Sequence, residues 1–266
     1  MGLREKYGEW AIITGASSGI GKEFAYRLAA EKINLVLVAR RKERLAAIAN
    51  ELIRVHGVNA IAVEIDLCED NFMEKLIPFV LEKNIGILIN NAGFGSNGYF
   101  VNADPIHEAK MVKLNCLAPT ILTHYFVPQM IKNRKGAIIF LGSVVAFQPT
   151  PFMATYSASK VFNLFLGETL WYELKQHNID VLSLNPGGTD TEFQRIANSA
   201  TGPIPRNVQQ VVNTALKALG KKPSVVDGAY NKLLAFSSRL GSRKIVVMMA
   251  GYVTKLLYKK QNDSNK

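Results

Sequence analysis

Short runs of β-branched and aliphatic residues recur along the chain at fairly regular intervals, and longer segments separate them. The runs are WAIIT (10–14), NLVLVA (34–39), NAIAVEI (59–65), GILIN (86–90), GAIIFLG (136–142), IDVLSLN (179–185) and, more weakly, PSVV (223–226). Intervening segments such as KEFAYRLAAEK and RKERLAAIANELIRVHG have helical periodicity. Strands that are apolar on both faces and alternate with helices predict a parallel sheet covered by helices on each side, which is a doubly wound α/β fold.

Length and composition favour one large domain in a reducing compartment. The chain has 266 residues, of which 48% are hydrophobic, enough to bury a single large core. Its two cysteines, Cys68 and Cys116, have no CxxC or metal-ligand spacing, so we expect neither a disulfide framework nor a metal site. The first residues contain two acids and no separate apolar segment, and no apolar run is long enough to span a membrane. We therefore expect a cytoplasmic protein.

A glycine-rich segment, TGASSGIG (14–21), follows the first predicted strand and opens directly into a helical pattern. Glycines let a backbone turn tightly and approach a pyrophosphate, whose charge is met by unpaired N–H groups at the helix N-terminus. An ordinary tight turn is the alternative. The position between the first strand and the first helix favours a dinucleotide site.

Two arginines, Arg40 and Arg41, end the second predicted strand. An NAD site carries an acid about 20 residues after the glycines, yet no acid occurs between Glu31 and Glu43. A guanidinium beside the ribose favours the 2′-phosphate of NADP. We therefore predict NADP(H) as the cofactor, with NAD(H) the weaker candidate. Arg40 is the stronger candidate ligand, because Arg41 could simply begin a solvated helix.

Acid–base chemistry is suggested after the fifth strand, where Ser143 precedes the segment YSASK (156–160). On a helix, Tyr156 and Lys160 lie one turn apart on the same face. A neighbouring ammonium favours the phenolate and lowers the pKa of a tyrosine from its usual value near 10. Each residue alone would be read as packing or solvated surface, but the combination indicates an acid–base pair.

These motifs together resemble the short-chain dehydrogenase/reductase family in its form of roughly 250 residues. The resemblance covers residues 8–226 and rests on TGASSGIG (14–21), NNAG (90–93), Asn115, Ser143, YSASK (156–160), and Pro186-Gly187 followed by Thr191. It implies a Rossmann fold with a mostly seven-stranded parallel sheet. Residues 1–228 would form the catalytic domain, 229–260 a basic amphipathic helical extension of the same domain, and the polar segment 261–266 a disordered tail.

The resemblance implies which residues bind the cofactor. Those at the phosphates, the riboses and the 2′-phosphate would be Gly15, Ser17, Ser18, Gly19, Ile20, Gly21, Arg40, Arg41, Asn91, Ala92 and Gly93. Those at the adenine and the nicotinamide end would be Asp66, Leu67, Tyr156, Lys160, Pro186, Gly187, Thr189 and Thr191. For Asp66, a solvated loop acid is the alternative. Two positions depart from the family pattern, since Ser18 replaces a basic residue and Thr189 an aliphatic one.

The resemblance also implies a mechanism. Tyr156 would donate a proton to the substrate carbonyl oxygen while hydride moves from the nicotinamide to its carbon. Ser143 would hydrogen-bond that oxygen as charge develops. Lys160 would bind the nicotinamide ribose and lower the pKa of Tyr156, and Asn115 would anchor a water in the proton relay.

Apolar residues dominate the segments expected to surround the substrate. We predict a substrate pocket formed by Phe94, Ser143, Val145, Phe147, Phe152, Met153 and Phe193, with Ile196 nearby. Such a lining suits a hydrophobic carbonyl or alcohol. The function expected is that of an NADP(H)-dependent ketone reductase or alcohol dehydrogenase, acting as a homodimer or homotetramer. A 3-oxoacyl-thioester reductase is the alternative, and a non-catalytic nucleotide-sensing or membrane-associated scaffold is a rival of another class.

The net charge of +11 is concentrated at the C-terminal end, where residues 221–266 hold ten Lys/Arg against two Asp/Glu. On a helix, residues 243–260 place apolar side chains on one broad face, with Lys244, Lys255 and Lys259 away from its centre; the face comprises Ile245, Val246, Met249, Tyr252, Val253, Leu256 and Leu257. This helix could lie on an anionic membrane surface. It could also pack on the body or another subunit, the commoner outcome, or meet an acidic carrier protein. No nucleic-acid-binding motif is present.

Overall fold

The computed structural model describes residues 1–193, 197 and 204–264, with side chains of the last helix as far as Leu256. Ile196 and the side chains of Leu257 and Lys259 therefore lie outside the described residues. Seven parallel strands form one sheet in the order β3-β2-β1-β4-β5-β6-β7, which confirms the predicted fold class. The strands are β1 (Trp10–Thr14), β2 (Asn34–Ala39), β3 (Ala60–Glu64), β4 (Ile85–Asn90), β5 (Gly136–Leu141), β6 (Ile179–Asn185) and β7 (Ser224–Val226).

Helices follow the strands along the chain. They are α1 (Leu3–Tyr7), α2 (Gly19–Ala30), α3 (Lys42–His56), α4 (Phe72–Val80), α5 (Pro105–Val112), α6 (Ala118–Asn133), α7 (Ala154–Lys175), α8 (Val208–Ala218), α9 (Ala229–Ser237) and α10 (Arg243–Ser264). A π-helical turn, Lys113–Leu117, joins α5 to α6, and 3-10 turns cover Phe100–Asn102 and Val144–Phe147. Local signals explain several ends: Asp104 caps α5 at Ile106 N, and Gly57 ends α3 in the left-handed conformation.

The strands bury both faces, so the core has two layers. Alternate strand residues such as Ile13, Leu37 and Ile89 pack on one face with apolar residues of α2, α3 and α8. Their neighbours, such as Ile12 and Val38, pack on the other face with residues of α4, α6 and α7. This two-sided burial is the reason that the strands read as continuous apolar runs in the sequence.

The strand order reverses between β1 and β4, and their carboxyl ends are joined by hydrogen bonds. Thr14 Oγ1 donates to Ile89 O at 3.2 Å and accepts from the backbone N–H groups of Asn91 and Ala92, each at 3.0 Å. Asn91 Nδ2 donates to Thr14 O at 2.8 Å. Ligands of open α/β sheets bind in the crevice at such a reversal, so the glycine segment after β1 and the amides after β4 meet at one place.

A buried ion pair anchors the segment that follows β6. The Asp227 side chain is fully buried, and it accepts from Arg206 Nε at 2.9 Å and from Thr214 Oγ1 at 2.6 Å. Backbone bonds then link Arg206 N to Gly188 O and Asp190 N to Arg206 O, each at 2.9 Å. The pair thus fixes residues 188–190 over the carboxyl end of β6.

The C-terminal extension consists of two helices, α9 and α10. The second runs to Ser264 and therefore enters the segment 261–266 that the sequence analysis expects to be disordered. Among the residues described, no helix combines the length and apolar character needed to cross a bilayer.

We predict that Arg206→Ala lowers the free energy of unfolding by about 3 kcal/mol, because it leaves the buried Asp227 carboxylate without its cationic partner. The measurement is equilibrium urea unfolding. Arg4→Ala is the control, since it breaks an exposed pair with Glu9 and should cost less than about 1 kcal/mol. Equal losses in the two variants would show that Asp227 does not depend on Arg206.

Candidate active site

One cavity of about 700 Å³ extends along the carboxyl ends of the strands. At one end it is lined by the glycine segment and by Arg40 and Arg41, and at the other by α9 and α10. The predicted cofactor residues on its wall are Gly15, Ser17, Ser18, Gly19, Ile20, Arg40, Arg41, Asp66, Leu67, Asn91, Ala92, Gly93, Tyr156, Lys160, Pro186, Gly187, Thr189 and Thr191. The structure therefore brings together residues from six different strand ends and the helices that follow them.

The glycine segment forms an anion-binding cradle. Gly15 and Gly19 have φ values of 66° and 55°, and a Cβ on Gly15 would lie 2.7 Å from Asn91 Nδ2. Ser18 occupies the N-cap of α2 without capping it, and the first turn of α2 contains no acid. Backbone N–H groups at this helix end are thus available to an anion, and the helix dipole adds to the attraction.

Gly21 is the one predicted cofactor residue that does not line the cavity. A Cβ at this position would lie 2.4 Å from Asn91 Nδ2 and 2.5 Å from Gly15 O. Gly21 therefore lies behind the cradle, where its lack of a side chain allows α2 to pack closely against the loop.

Arg41 provides the positive charge beside the cradle. Its guanidinium donates to Ser17 Oγ at 2.9 Å and to Ser18 Oγ at 2.7 Å, and it forms an ion pair with Glu192 at 2.6 Å. Arg44 binds the same carboxylate at 2.8 Å, and hydrogen bonds from Arg44 and Arg41 lower the pKa of Glu192 to about 2. From the sequence, Arg40 is expected to be the main phosphate ligand. Both Arg40 and Arg41 line the cavity, but the contacts to the cradle are made by Arg41, whose charge lies next to the serine that replaces a basic residue.

Three predicted catalytic residues are buried together at the middle of the cavity. Ser143 follows β5, and Tyr156 and Lys160 lie one turn apart on α7, as their spacing predicts. Ser143 Oγ donates to Pro186 O and accepts from Val145 N, each at 3.4 Å. Lys160 Nζ donates to Leu141 O at 2.7 Å and lies 5.7 Å from the centroid of the Tyr156 ring.

Burial controls the protonation of this cluster. It raises the pKa of Tyr156 to about 12, although the Ser143 side chain acts in the opposite direction and favours the phenolate. It also lowers the pKa of Lys160 to about 8. The expected lowering of the Tyr156 pKa by Lys160 is thus not found in the protein alone, because desolvation disfavours both charged forms. Tyr156 is a protonated phenol at neutral pH and can donate that proton.

Asn115 lies within the π-helical turn, an irregularity that is common at functional sites. Its Nδ2 donates to Phe94 O and to Ser159 Oγ, both at 2.9 Å, and its Oδ1 accepts from Phe94 N at 3.2 Å. The backbone carbonyl oxygen of Asn115 accepts from Asn163 Nδ2 at 2.8 Å. Both amide hydrogens are therefore in use, and Asn115 holds the segment after β4 against α7.

The cavity contains some of the residues predicted to surround the substrate. Phe94, Ser143, Val145, Met153 and Phe193 line it. Phe147 and Phe152 do not. The Phe152 carbonyl accepts from Gly98 N at 2.8 Å and its ring lies edge-on to Tyr99, so this residue supports the loop after β4. The Phe147 carbonyl accepts from Ser238 Oγ at 3.1 Å, which ties the 3-10 turn to the end of α9.

Sequence reasoning missed the contribution of the C-terminal helices to this wall. The added residues include Tyr230, Leu234, Ser237, Val246, Met249 and Val253. The amphipathic pattern of residues 243–260 was the available signal, but it does not say what the helix covers. Gly95 was also missed; a Cβ there would lie 3.0 Å from the Tyr156 ring and 3.1 Å from Phe193, so this glycine allows the two rings to approach.

The residues present fit a nicotinamide dinucleotide. The cradle at α2 suits the pyrophosphate, Arg40 and Arg41 suit a further phosphate, and the buried Tyr156 lies farther along the same cavity. No group of three or more His, Cys, Asp or Glu side chains is placed to hold a metal ion in the described part of the chain.

Comparisons with known proteins found similar sequences and similar structures. The chain is 36% identical over 224 residues to a very-long-chain 3-oxoacyl-CoA reductase of Neurospora crassa, covering 82% of this chain and 67% of that protein. Across several such reductases, the chain spans 53–67% of their length.

Two solved structures are also similar. A 7beta-hydroxysteroid dehydrogenase superposes with a TM-score of 0.87 at 27% identity, covering 94% of this chain and 99% of that one. A short-chain dehydrogenase from Sphingobium yanoikuyae, in complex with NADPH, has a TM-score of 0.77 at 36% identity, covering 87% and 94% of the two chains.

The family model for short chain dehydrogenases matches residues 9–202, which include the cradle, Ser143, Tyr156 and Lys160. This range extends over most of the chain. The protein therefore belongs to the short-chain dehydrogenase family of oxidoreductases.

Proposed function

We propose that this protein is an NADP(H)-dependent reductase of a hydrophobic ketone, or a dehydrogenase of the corresponding secondary alcohol. The observation that carries the proposal is the position of the buried Ser143–Tyr156–Lys160 cluster between an anion-binding cradle and an apolar wall in one cavity. A cofactor held at the cradle and a substrate held at the wall would meet at this cluster.

Named residues would hold each part of the cofactor. The pyrophosphate would lie at the N-terminus of α2, the 2′-phosphate beside Arg41 and Arg40, and the adenine beside Asp66 and Leu67. Asn91, Ala92 and Gly93 would flank the adenosine ribose. The nicotinamide end would contact Lys160 and the segment Pro186–Thr191. When bound, the cofactor supplies the hydride that reduces the carbonyl carbon.

The chain's own residues supply the proton and stabilise the developing charge. Tyr156 donates its phenolic proton to the carbonyl oxygen, and its raised pKa keeps that proton in place at neutral pH. Ser143 Oγ hydrogen-bonds the same oxygen as negative charge develops. A protonated Lys160 stabilises the phenolate that remains. A relay water would be bound through the free lone pairs of Asn115, because both amide hydrogens are already donated.

The apolar wall supports a hydrophobic substrate. Phe94, Val145, Met153 and Phe193 line the cavity, and so do apolar side chains of α9 and α10 such as Leu234, Val246 and Val253. A 3-oxoacyl thioester is the second candidate, favoured by the similarity to very-long-chain 3-oxoacyl-CoA reductases. The complete set of Ser143, Tyr156, Lys160 and Asn115 argues against a non-catalytic scaffold.

We expect NADPH oxidation to accompany reduction of bulky hydrophobic ketones. The assay compares aromatic ketones, steroid ketones and 3-oxoacyl-CoA esters as substrates. Tyr156→Phe is the matched variant, since it removes only the proton donor; kcat should fall by about 10²-fold or more while NADPH binding is retained. Turnover unchanged in Tyr156→Phe would contradict the mechanism. A strong preference for 3-oxoacyl-CoA would make the second candidate the function.

Cofactor choice should depend on Arg41. Loss of a charge-assisted bond to the 2′-phosphate should weaken NADPH binding in Arg41→Ala by about 10- to 100-fold and leave NADH binding almost unchanged. Fluorescence titration measures both dissociation constants. The same titrations of Arg40→Ala measure how much Arg40 contributes to NADPH binding. Arg44→Ala is the control, because Arg44 binds Glu192 without lining the cavity. An equal loss for both cofactors would exclude a 2′-phosphate contact.

We further propose a homodimer or homotetramer that uses α7 and its neighbours. Phe162, Phe165 and Tyr172 lie on one face of α7 and are 40–79% exposed. Phe165→Glu with Tyr172→Glu should reduce the particle mass measured by light scattering. Leu81→Glu, at an equally exposed site beyond α4, should not. A wild-type protein that is already monomeric would contradict this assembly.

A further inference from the structure

Helix α10 turns most of its large apolar side chains away from the body. Val246, Ala250 and Thr254 line the cavity, and a Cβ on Gly251 would lie 3.2 Å from Pro151. Six apolar side chains of α10 are 50–68% exposed: Ile245, Met248, Met249, Tyr252, Val253 and Leu256. The broad apolar face expected from the sequence is therefore divided, and packing on the body accounts for only part of it.

Helix α9 and the turn after it add to this exposed surface. Tyr230, Leu233, Phe236 and Leu240 are 44–74% exposed. We call these four side chains and the six of α10 the C-terminal apolar surface. A monomeric soluble protein seldom exposes so many large apolar side chains on neighbouring elements without a binding function.

The cavity opens on the C-terminal apolar surface. Tyr230 and Met249 belong to that surface and also line the cavity, as does the exposed Val253. Side chains that are both exposed and part of the wall mark the mouth of a cavity. An apolar molecule leaving the surface could thus enter the cavity without crossing water.

The charged residues of the segment 228–262 are all basic. Residues 228–262 contain no Asp or Glu, whereas Lys232, Arg239, Arg243, Lys244 and Lys255 are all exposed. The nearest acid before this segment is Asp227, which is buried and paired with Arg206. The exposed charge is therefore not neutralised by acidic neighbours in the same segment.

We propose that the C-terminal apolar surface docks on an anionic lipid bilayer, so that the hydrophobic substrate passes directly between the membrane and the cavity. An anionic bilayer satisfies both features, because it accepts the apolar side chains and attracts the basic ones. A second copy of the chain would instead bring two basic surfaces together, which opposes association. The docking itself is independent of the reaction, whereas the delivery of substrate rests on the proposed function.

The test is co-sedimentation of the full-length protein with vesicles of phosphatidylcholine, with and without phosphatidylserine. We expect binding to the vesicles that contain phosphatidylserine to be about tenfold stronger or more, and to weaken as salt is added. Met248→Glu with Tyr252→Glu should abolish binding, since neither side chain lines the cavity but both belong to the surface. Lys244→Gln with Lys255→Gln should remove the preference for phosphatidylserine.

Leu81→Glu with Val101→Glu is the control, because these exposed apolar residues lie outside α9 and α10 and should leave vesicle binding unchanged. Failure of the wild-type protein to bind phosphatidylserine vesicles would overturn the proposal. Vesicle binding that persists in the Met248→Glu, Tyr252→Glu variant would overturn it as well. So would a result in which the wild type binds no vesicles and this variant loses self-association.

Turnover of a water-soluble ketone is measured in the same preparations. It should be the same in the wild type and in the Met248/Tyr252 variant. Absence of turnover in all of them would contradict the proposed reaction while leaving the vesicle result to decide the docking surface.

Discussion

The junction between β1 and β4 is the constraint on which the site depends. The single hydroxyl of Thr14 bonds three backbone groups at the carboxyl end of β4, and the Asn91 side chain donates to the Thr14 carbonyl. These bonds bring two loops so close that a Cβ on Gly15 or Gly21 would collide with Asn91. The cradle at α2 exists because the two strand ends are held at this distance, and the rest of the cavity is arranged along the same sheet edge.

The catalytic cluster is placed at a cost to protein stability. Tyr156, Lys160 and Ser143 are nearly inaccessible to solvent, and burial alone moves the pKa of the lysine down and that of the tyrosine up. Low solvation makes each electrostatic contact with a reacting carbonyl stronger than it would be in water. Because burial lowers the pKa of Lys160, the protonated fraction of this side chain depends on which groups lie beside it in the cavity.

The C-terminal helices α9 and α10 form part of the cavity wall and part of the protein's exposed surface. They close the apolar end of the cavity with one side of α10 and present apolar and basic side chains to the exterior with the other. The proposed substrate class and the proposed docking surface thus depend on the same segment. The Arg206–Asp227 pair supports this region, because it holds the segment after β6 beside the start of α9.

Local sequence determined the strands, most helices and the central residues of the site. Apolar runs specify buried strands by themselves, and TGASSGIG or YSASK carry their chemistry within one or two helical turns. Tertiary structure alone decided that Arg41 reaches the cradle and that Gly21 lies behind it. It also decided that Phe147 and Phe152 support loops outside the cavity, and that α10 divides its apolar face between cavity and solvent. The physical reason is that these outcomes depend on contacts between segments far apart in the chain, which a pattern read along one segment does not contain.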